Sequence, residues 1–238
     1  MSDHPTARLP VQQGSFPRRR RRRWPVILVV VLVIVLGLLV IADRAAAAYA
    51  GNRAATEMQA QGFSSKPHVT IEGFPFLTQV ASRDFHNVHI TATGEKAGPV
   101  QIDHIDATLT DVRPNSSYSG ATVAQLSGTG LITFASLASA SSAPGLKISA
   151  VSNDEVKIAV DLGIVSGSAT ARVTKVGPNE INVKVVSADG LPVSALGSLA
   201  DTTITIPALP LHMTLQSVSV SAQGVLIHVT GQNVSFGG

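Results

Sequence analysis

The chain has 238 residues with 18 Lys or Arg, 15 Asp or Glu and no cysteine. With no thiol, disulfides, cysteine zinc sites and thiol catalysis are excluded, and the fold must hold by packing. The net charge of +3 is uneven: residues 1–42 carry seven arginines and one aspartate, which leaves −3 on residues 43–238 and no basic footprint for nucleic acid there.

Residues 1–23 are aperiodic, end in six consecutive arginines (Arg18–Arg23), and read as a disordered basic cytoplasmic tail. Trp24–Ala42 is uncharged and just long enough, as a helix, to cross a ~30 Å hydrocarbon core. The arginines on one flank and Trp24 at the interface set the N-terminus inside and residues 43–238 outside. The arginine run serves as a topology signal or holds anionic headgroups. A cleaved signal peptide is the other reading, with Ala48-Tyr49-Ala50 as a small-residue cleavage site, although the apolar core exceeds the usual ~7–15 residues. Either way the remaining 196 residues are exported.

Asp43 to Gly62 favours helix by propensity, with Asp43 at its start and Gly62 as its stop. Ala47, Ala50, Ala54, Met58 and Gln61 fall on one face, mostly alanine, so a partner can approach closely. The span and this helix can be one continuous element.

From residue 67 the period changes to two. Val69 and Ile71 alternate with polar neighbours, as do Val88 and Ile90; Leu146, Ile148 and Ala150; Val156, Ile158, Val160 and Leu162; Ala169, Ala171 and Val173; Ile181, Val183 and Val185. Turn signals at Gly94–Pro99, Pro114–Ser117, Ser152–Asp154, Gly177–Asn179 and Gln223–Gly224 separate strands and imply an antiparallel meander. The apolar phase slips by one residue between Ile102 and Ile105, and between Leu215 and Val218, which predicts a β-bulge in each strand. Short helices are expected at Gly73–Val80, Pro192–Ala200 and Phe134–Ala140. The expected fold is α+β: a strongly curled antiparallel sheet packed around a long N-terminal helix, preceded by a single transmembrane helix.

The order of these features, with Val69-Thr-Ile-Glu-Gly-Phe-Pro-Phe-Leu-Thr-Gln79, Asp84-Phe-His-Asn-Val-His-Ile-Thr-Ala92, Leu126-Ser-Gly-Thr-Gly-Leu-Ile-Thr-Phe134 and Gly224-Val-Leu-Ile-His-Val-Thr-Gly231, resembles the LmeA-like phospholipid-binding family of actinobacterial cell envelopes. The resemblance covers roughly residues 43–236, and its most specific piece is Gly73-Phe-Pro-Phe-Leu77. It implies a fold like the tubular lipid-binding domains with an apolar channel, phospholipid as ligand, and a role in envelope glycolipid assembly.

Phe74, Phe76 and Leu77 form an apolar mouth or wall for acyl chains, or else a short core helix capping the sheet. Val80, Val88, Ile90, Phe134, Leu137, Val193 and Leu196 are further wall candidates, with ordinary core as the alternative; burial by protein and by lipid demand the same side chains. His86 and His89 point to opposite faces of a strand, as do Asp103 and His104, which is poor geometry for a metal. No nucleophile elbow, zincin motif or phosphate loop is present, so the expectation is a non-enzyme without cofactor. Asn115-Ser-Ser117 reads as a turn. The expected function is a single-pass, membrane-tethered phospholipid-binding or lipid-transfer protein in the cytoplasmic membrane, with its main domain extracytoplasmic and phospholipid, the membrane and envelope biosynthesis proteins as expected partners. An envelope scaffold without a lipid ligand is the alternative, and a hydrolase with an unrecognised site the third reading.

Overall fold

The computed structural model describes residues 24–97, 100–140, 145–161, 166–189, 200–205 and 213–236. The expected tail over 1–23 and the expected helix at 192–200 lie outside these residues, as do Val193 and Leu196. The chain divides into a unit ending at Leu39 and a unit from Val40 to Gly238.

Helix α1 runs unbroken from Trp24 to Ala60. Every side chain from Trp24 to Leu39 is exposed, and among the described residues α1 is the one helix long and apolar enough to cross a membrane, which makes it a candidate anchor or signal sequence. Within the second unit the same helix buries Asp43, Ala47, Gly51 and Ala55 at four-residue steps, with Ala46, Ala50, Ala54 and Met58 beside them. This is the face expected from the alanine spacing, except that Gln61 is exposed beyond the last turn. Gly51 shows why the stripe is small: a Cβ there would run into the Val69 carbonyl, so helix and strand touch backbone to backbone.

After α1 come β1 (His68–Glu72), α2 (Phe76–Ser82), β2 (Phe85–Ala97), β3 (Val100–Pro114), β4 (Ala121–Thr133), α3 (Phe134–Ala140), β5 (Leu146–Ala150), β6 (Glu155–Asp161), β7 (Ser166–Lys175), β8 (Glu180–Asp189), β9 (Asp201–Thr205), β10 (Thr214–Val220) and β11 (Gly224–Phe236). They form two antiparallel sheets, one of six strands in the order β1-β2-β3-β4-β11-β10 and one of five in the order β5 to β9. The single strongly curled sheet is therefore not what forms: the described residues make two sheets, neither strongly curled. The physical reason lies in the middle of the chain. Strands β5 to β9 form ladders only with one another, and the apolar face they create packs on the C-terminal hairpin instead of extending one sheet. Val156, Ala171, Val173 and Ile181 meet Leu215 and Val220 in that core.

The expected bulge in β10 is present: the register to β11 shifts between Leu215 and Ser217. The one expected in β3 is not, since pairing to β2 keeps one register across Ile102 to Ile105; the irregular residue there is Gly94 of the partner strand, with φ 72°. Nor is Gly94–Pro99 a turn throughout. β2 continues to Ala97, because the buried Glu95 carboxylate accepts the Ser64 N–H (2.8 Å) and Ser65 N–H (3.2 Å) and holds the strand against the residues following α1.

An unexpected bend crosses the larger sheet. Asp111 of β3 and Asn233 of β11 both have positive φ (52° and 50°), and both lie opposite Ala124 of β4. Asp and Asn are the non-glycine residues that best tolerate this conformation. Side-chain phase changes there on three strands together, so Val112, Val123 and Val234 join Leu109 and Leu126 in one core without any change of register.

Asp103 ties β3 to the start of α3, accepting the Thr133 N–H at 2.8 Å. Burial pushes its carboxyl up, but the bonds from Thr133 and Ser136 outweigh that and hold it below the ordinary 3.8. A carboxylate depressed on folding contributes stability above its unfolded pKa and loses it as pH falls through the folded value. Melting followed from about pH 6 down to about pH 2.5 should therefore show Asp103→Asn less stable than the parent at the upper end, with the gap closing at the lower. A gap constant across that range would refute the assignment.

Candidate functional site: the apolar face of the six-stranded sheet

Strand register sorts the larger sheet into transverse rows. One row reads Thr70, His89, Thr108, Ser127, Thr230, Thr214, and its neighbour reads Val69, Ile90, Ala107, Gly128, Val229, Leu215. Adjacent rows face opposite ways, so one face is polar and the other apolar. On the apolar face lie two flanking rows, Ile71-Val88-Leu109-Leu126-Gly231 and Ala92-Ile105-Gly130-Ile227-Val218.

The two ends of this face are closed differently. At one end Ile71, Val88 and Val80 pack with Phe76, Phe85 and Ala47, which brings α1 and α2 over the sheet. At the other, Val218, Ile227 and Phe134 pack against the five-stranded sheet. Between them side chains shrink to Ala92, Ala107, Gly128 and Gly130, a shallow trough in side-chain height across β2, β3 and β4 in which Ala92 and Gly128 are buried and Ala107 and Gly130 half-buried. Ile90, Ile105, Ala107, Ile227 and Val229 around it are only half-buried although their neighbours are apolar. A methyl at Gly128 would meet Val229 Cγ2 at 3.3 Å and Ala107 Cβ at 3.7 Å, so the floor is closely packed.

A concavity of about 550 Å³ runs along the flank of α1, lined by Ala47, Ala48, Asn52 and Ala55 on the helix and by residues 66–71 on the strand side, with Arg44 and Lys66 among its polar members. The Gly51–Val69 contact lies at this interface. The helix and β1 touch directly at Gly51, and the concavity opens beside that contact.

The segment from Gly73 to Leu77 is held by Asp43. Its buried carboxylate accepts the Phe76 N–H (2.9 Å) and the Leu77 N–H (2.9 Å), the open donors of the first turn of α2. Arg44 donates to Asp43 (2.8 Å) and to the Gly73 carbonyl (2.7 Å), and lies 5.2 Å over the Phe74 ring. Asp43→Ala removes both acceptors, so the melting temperature should drop by several degrees, with Asp43→Asn intermediate because one acceptor oxygen remains. An unchanged melt for both variants would show that the carboxylate holds nothing.

Of the residues singled out in the sequence, Val88 and Ile90 lie on the apolar face, Phe76 and Val80 in the core under α1, and Phe134 in the core between the sheets. Leu137 is half-buried on α3, while Phe74 and Leu77 point outward. Sequence reasoning passed over Ala107, Gly128 and Gly130. The signal was there: Gly128 and Gly130 are two apart, which places them on one face of a strand. His89 meets Asp106 at 3.2 Å on the polar face, and among the described residues no three His, Asp or Glu converge for a metal.

A family model described as LmeA-like phospholipid-binding matches residues 41–230. The chain belongs to that family. The match takes in Asp43, α2, all of the apolar rows except Gly231, and the five-stranded sheet, and the family is one of lipid binding, not of enzymes. No curated protein and no solved structure matches the chain.

Proposed function

We propose that this protein binds phospholipid, with acyl chains laid across the apolar face of the six-stranded sheet and the headgroup left toward solvent. The observation that carries the reading is the half-buried strip around Ala107, Gly128 and Gly130, closed at both ends by core and lying within the family match. Apolar surface left partly open costs solvation, and each methylene placed on it recovers about 0.8 kcal/mol. Val80, Val88, Ile90, Phe134, Leu137, Val193 and Leu196 are the proposed wall, with Phe74 and Leu77 at the mouth and Phe76 behind them in the wall.

In the same proposal residues 1–23 are a cytoplasmic tail, 24–42 an anchor in the cytoplasmic membrane, and 43–238 the exported lipid-binding domain. A tethered domain of this kind would supply or receive lipid for envelope glycolipid assembly, and the reading assigns it no catalysis. The test is direct. Full-length protein extracted in a mild detergent and washed free of bulk lipid should carry phospholipid near one molecule per chain by mass spectrometry. Lipid at background level would end the proposal.

A further inference from the structure

The surface around α2 leaves large apolar side chains in water. Phe74 is 62% exposed, Leu77 49% and Tyr118 54%. The cause is local: α2 turns Phe76, Gln79 and Val80 inward, which sends Leu77, Thr78 and Ala81 outward. Tyr118, from the turn between β3 and β4, reaches the same helix, its hydroxyl donating to the Val80 carbonyl at 3.5 Å. Two of the rings carry an arginine, Arg44 at 5.2 Å from the centroid of Phe74 and Arg83 at 6.0 Å from that of Tyr118.

We propose that this surface rests on the phospholipid bilayer, with Phe74 and Leu77 among the upper acyl chains and Arg44 and Arg83 at the phosphates. Three observations select a bilayer over other occupants. First, the chain reaches this surface straight from its apolar run: Asp43, which holds the Phe76 and Leu77 backbones, directly follows Ile41 and Ala42, both exposed and both at the end of the uncharged stretch. The uncharged stretch thus ends at the residue next in sequence to the one that holds the Phe76 and Leu77 backbones. Second, exposed aromatic and aliphatic side chains beside arginines are the composition of a membrane interface, where apolar tips enter and cations meet phosphate. Third, the tip is fixed in place by the Asp43 and Arg44 bonds, so contact needs no rearrangement. The inference rests on Trp24–Ala42 being a span, not on the lipid-carrying reading. Its consequence is that the domain is seated on the leaflet, within reach of its lipids.

The test uses single-tryptophan versions of the full-length chain. Trp24→Phe removes the native tryptophan, and Phe74→Trp, Leu77→Trp or, as control, Val151→Trp (Val151 is 54% exposed in the β5–β6 turn) introduces the reporter. Each protein is reconstituted into phosphatidylcholine–phosphatidylglycerol nanodiscs, with or without lipid brominated near the glycerol end of the chains. Bilayer contact predicts at least about a twofold loss of emission at 74 and 77 and little change at 151. Equal quenching at all three positions, or none at 74 and 77, overturns it. So does quenching at 74 that survives transfer into unbrominated nanodiscs, which would report a carried lipid rather than the leaflet. Mass spectrometry on the same preparations separates the two proposals: carried lipid without quenching removes only the bilayer contact, whereas quenching without carried lipid removes only the lipid-carrying function.

Discussion

Gly130→Leu should leave the protein folded and strip most of its phospholipid. Gly130 sits between Ile105 and Ile227 in the floor of the trough, and the nearest atom to an added methyl is Ile102 Cγ2, at 3.5 Å. That is ordinary van der Waals contact, so Gly130→Ala is accommodated, and strand backbone tolerates either substitution. The remaining carbons of a leucine must extend over the trough, where an acyl chain would lie. Displacing about two methylenes at roughly 0.8 kcal/mol each removes about 1.6 kcal/mol, a little over tenfold in affinity. Lipid per chain, measured by mass spectrometry at matched protein concentration, should fall by about that factor for leucine and little for alanine. The companion variant is Ala48→Leu, which narrows the flank groove from an exposed position on α1. It should keep its lipid. If Ala48→Leu loses lipid while Gly130→Leu holds it, the ligand lies beside α1 and the sheet face is not the site.

Gly51→Leu should be the most destabilising single change in the helix. Even the first added carbon meets the Val69 carbonyl, which is backbone and cannot rotate away. The helix must lift from β1, or β1 must shift in its pairing to β2. Overpacking of this kind typically costs about 1–3 kcal/mol. For a chain of this size that corresponds to roughly 2–12 °C in melting temperature. Gly37→Leu is the control: nothing lies within 4 Å of a Cβ there, so the same substitution should leave the domain's melting unchanged. Equal shifts for the two variants would mean that the Gly51 contact contributes nothing particular, and that helix propensity alone governs both positions.

Much of this architecture is written in periodicities that need no neighbours. The uncharged run from Trp24 to Ala42 and the four-residue alanine spacing after it define one long helix with one small-residue face, because helix geometry is local. The alternation in Val69/Ile71, Val156/Ile158 and Ile181/Val183 defines strands for the same reason. The phase slip at Leu215–Val218 marks a bulge because a strand with one buried face cannot otherwise keep its apolar side inward. The family, too, is legible in the Gly73–Leu77 segment and the strands that follow it.

Which strands pair is a different kind of information. Alternation says that a strand has an apolar face but not what will cover it, so one curled sheet and two packed sheets fit the same pattern. The partition was decided by closure of β5 to β9 on themselves, a matter of contacts far apart in sequence. Tertiary structure also decided the roles of single residues. Asp43 looked like a helix start and became the acceptor for a second helix more than thirty residues away. Phe76 and Leu77 are neighbours with similar chemistry, yet one is core and the other faces outward, because the seven-residue helix that carries them has only one side against the protein. Gly128 and Gly130 became the floor of a trough only when Ala92 and Ala107 arrived beside them on the adjoining strands. Local sequence determined element type and facing, since those depend on backbone geometry alone; the surface proposed for lipid exists only where several strands bring small side chains into register, which is a property of the fold.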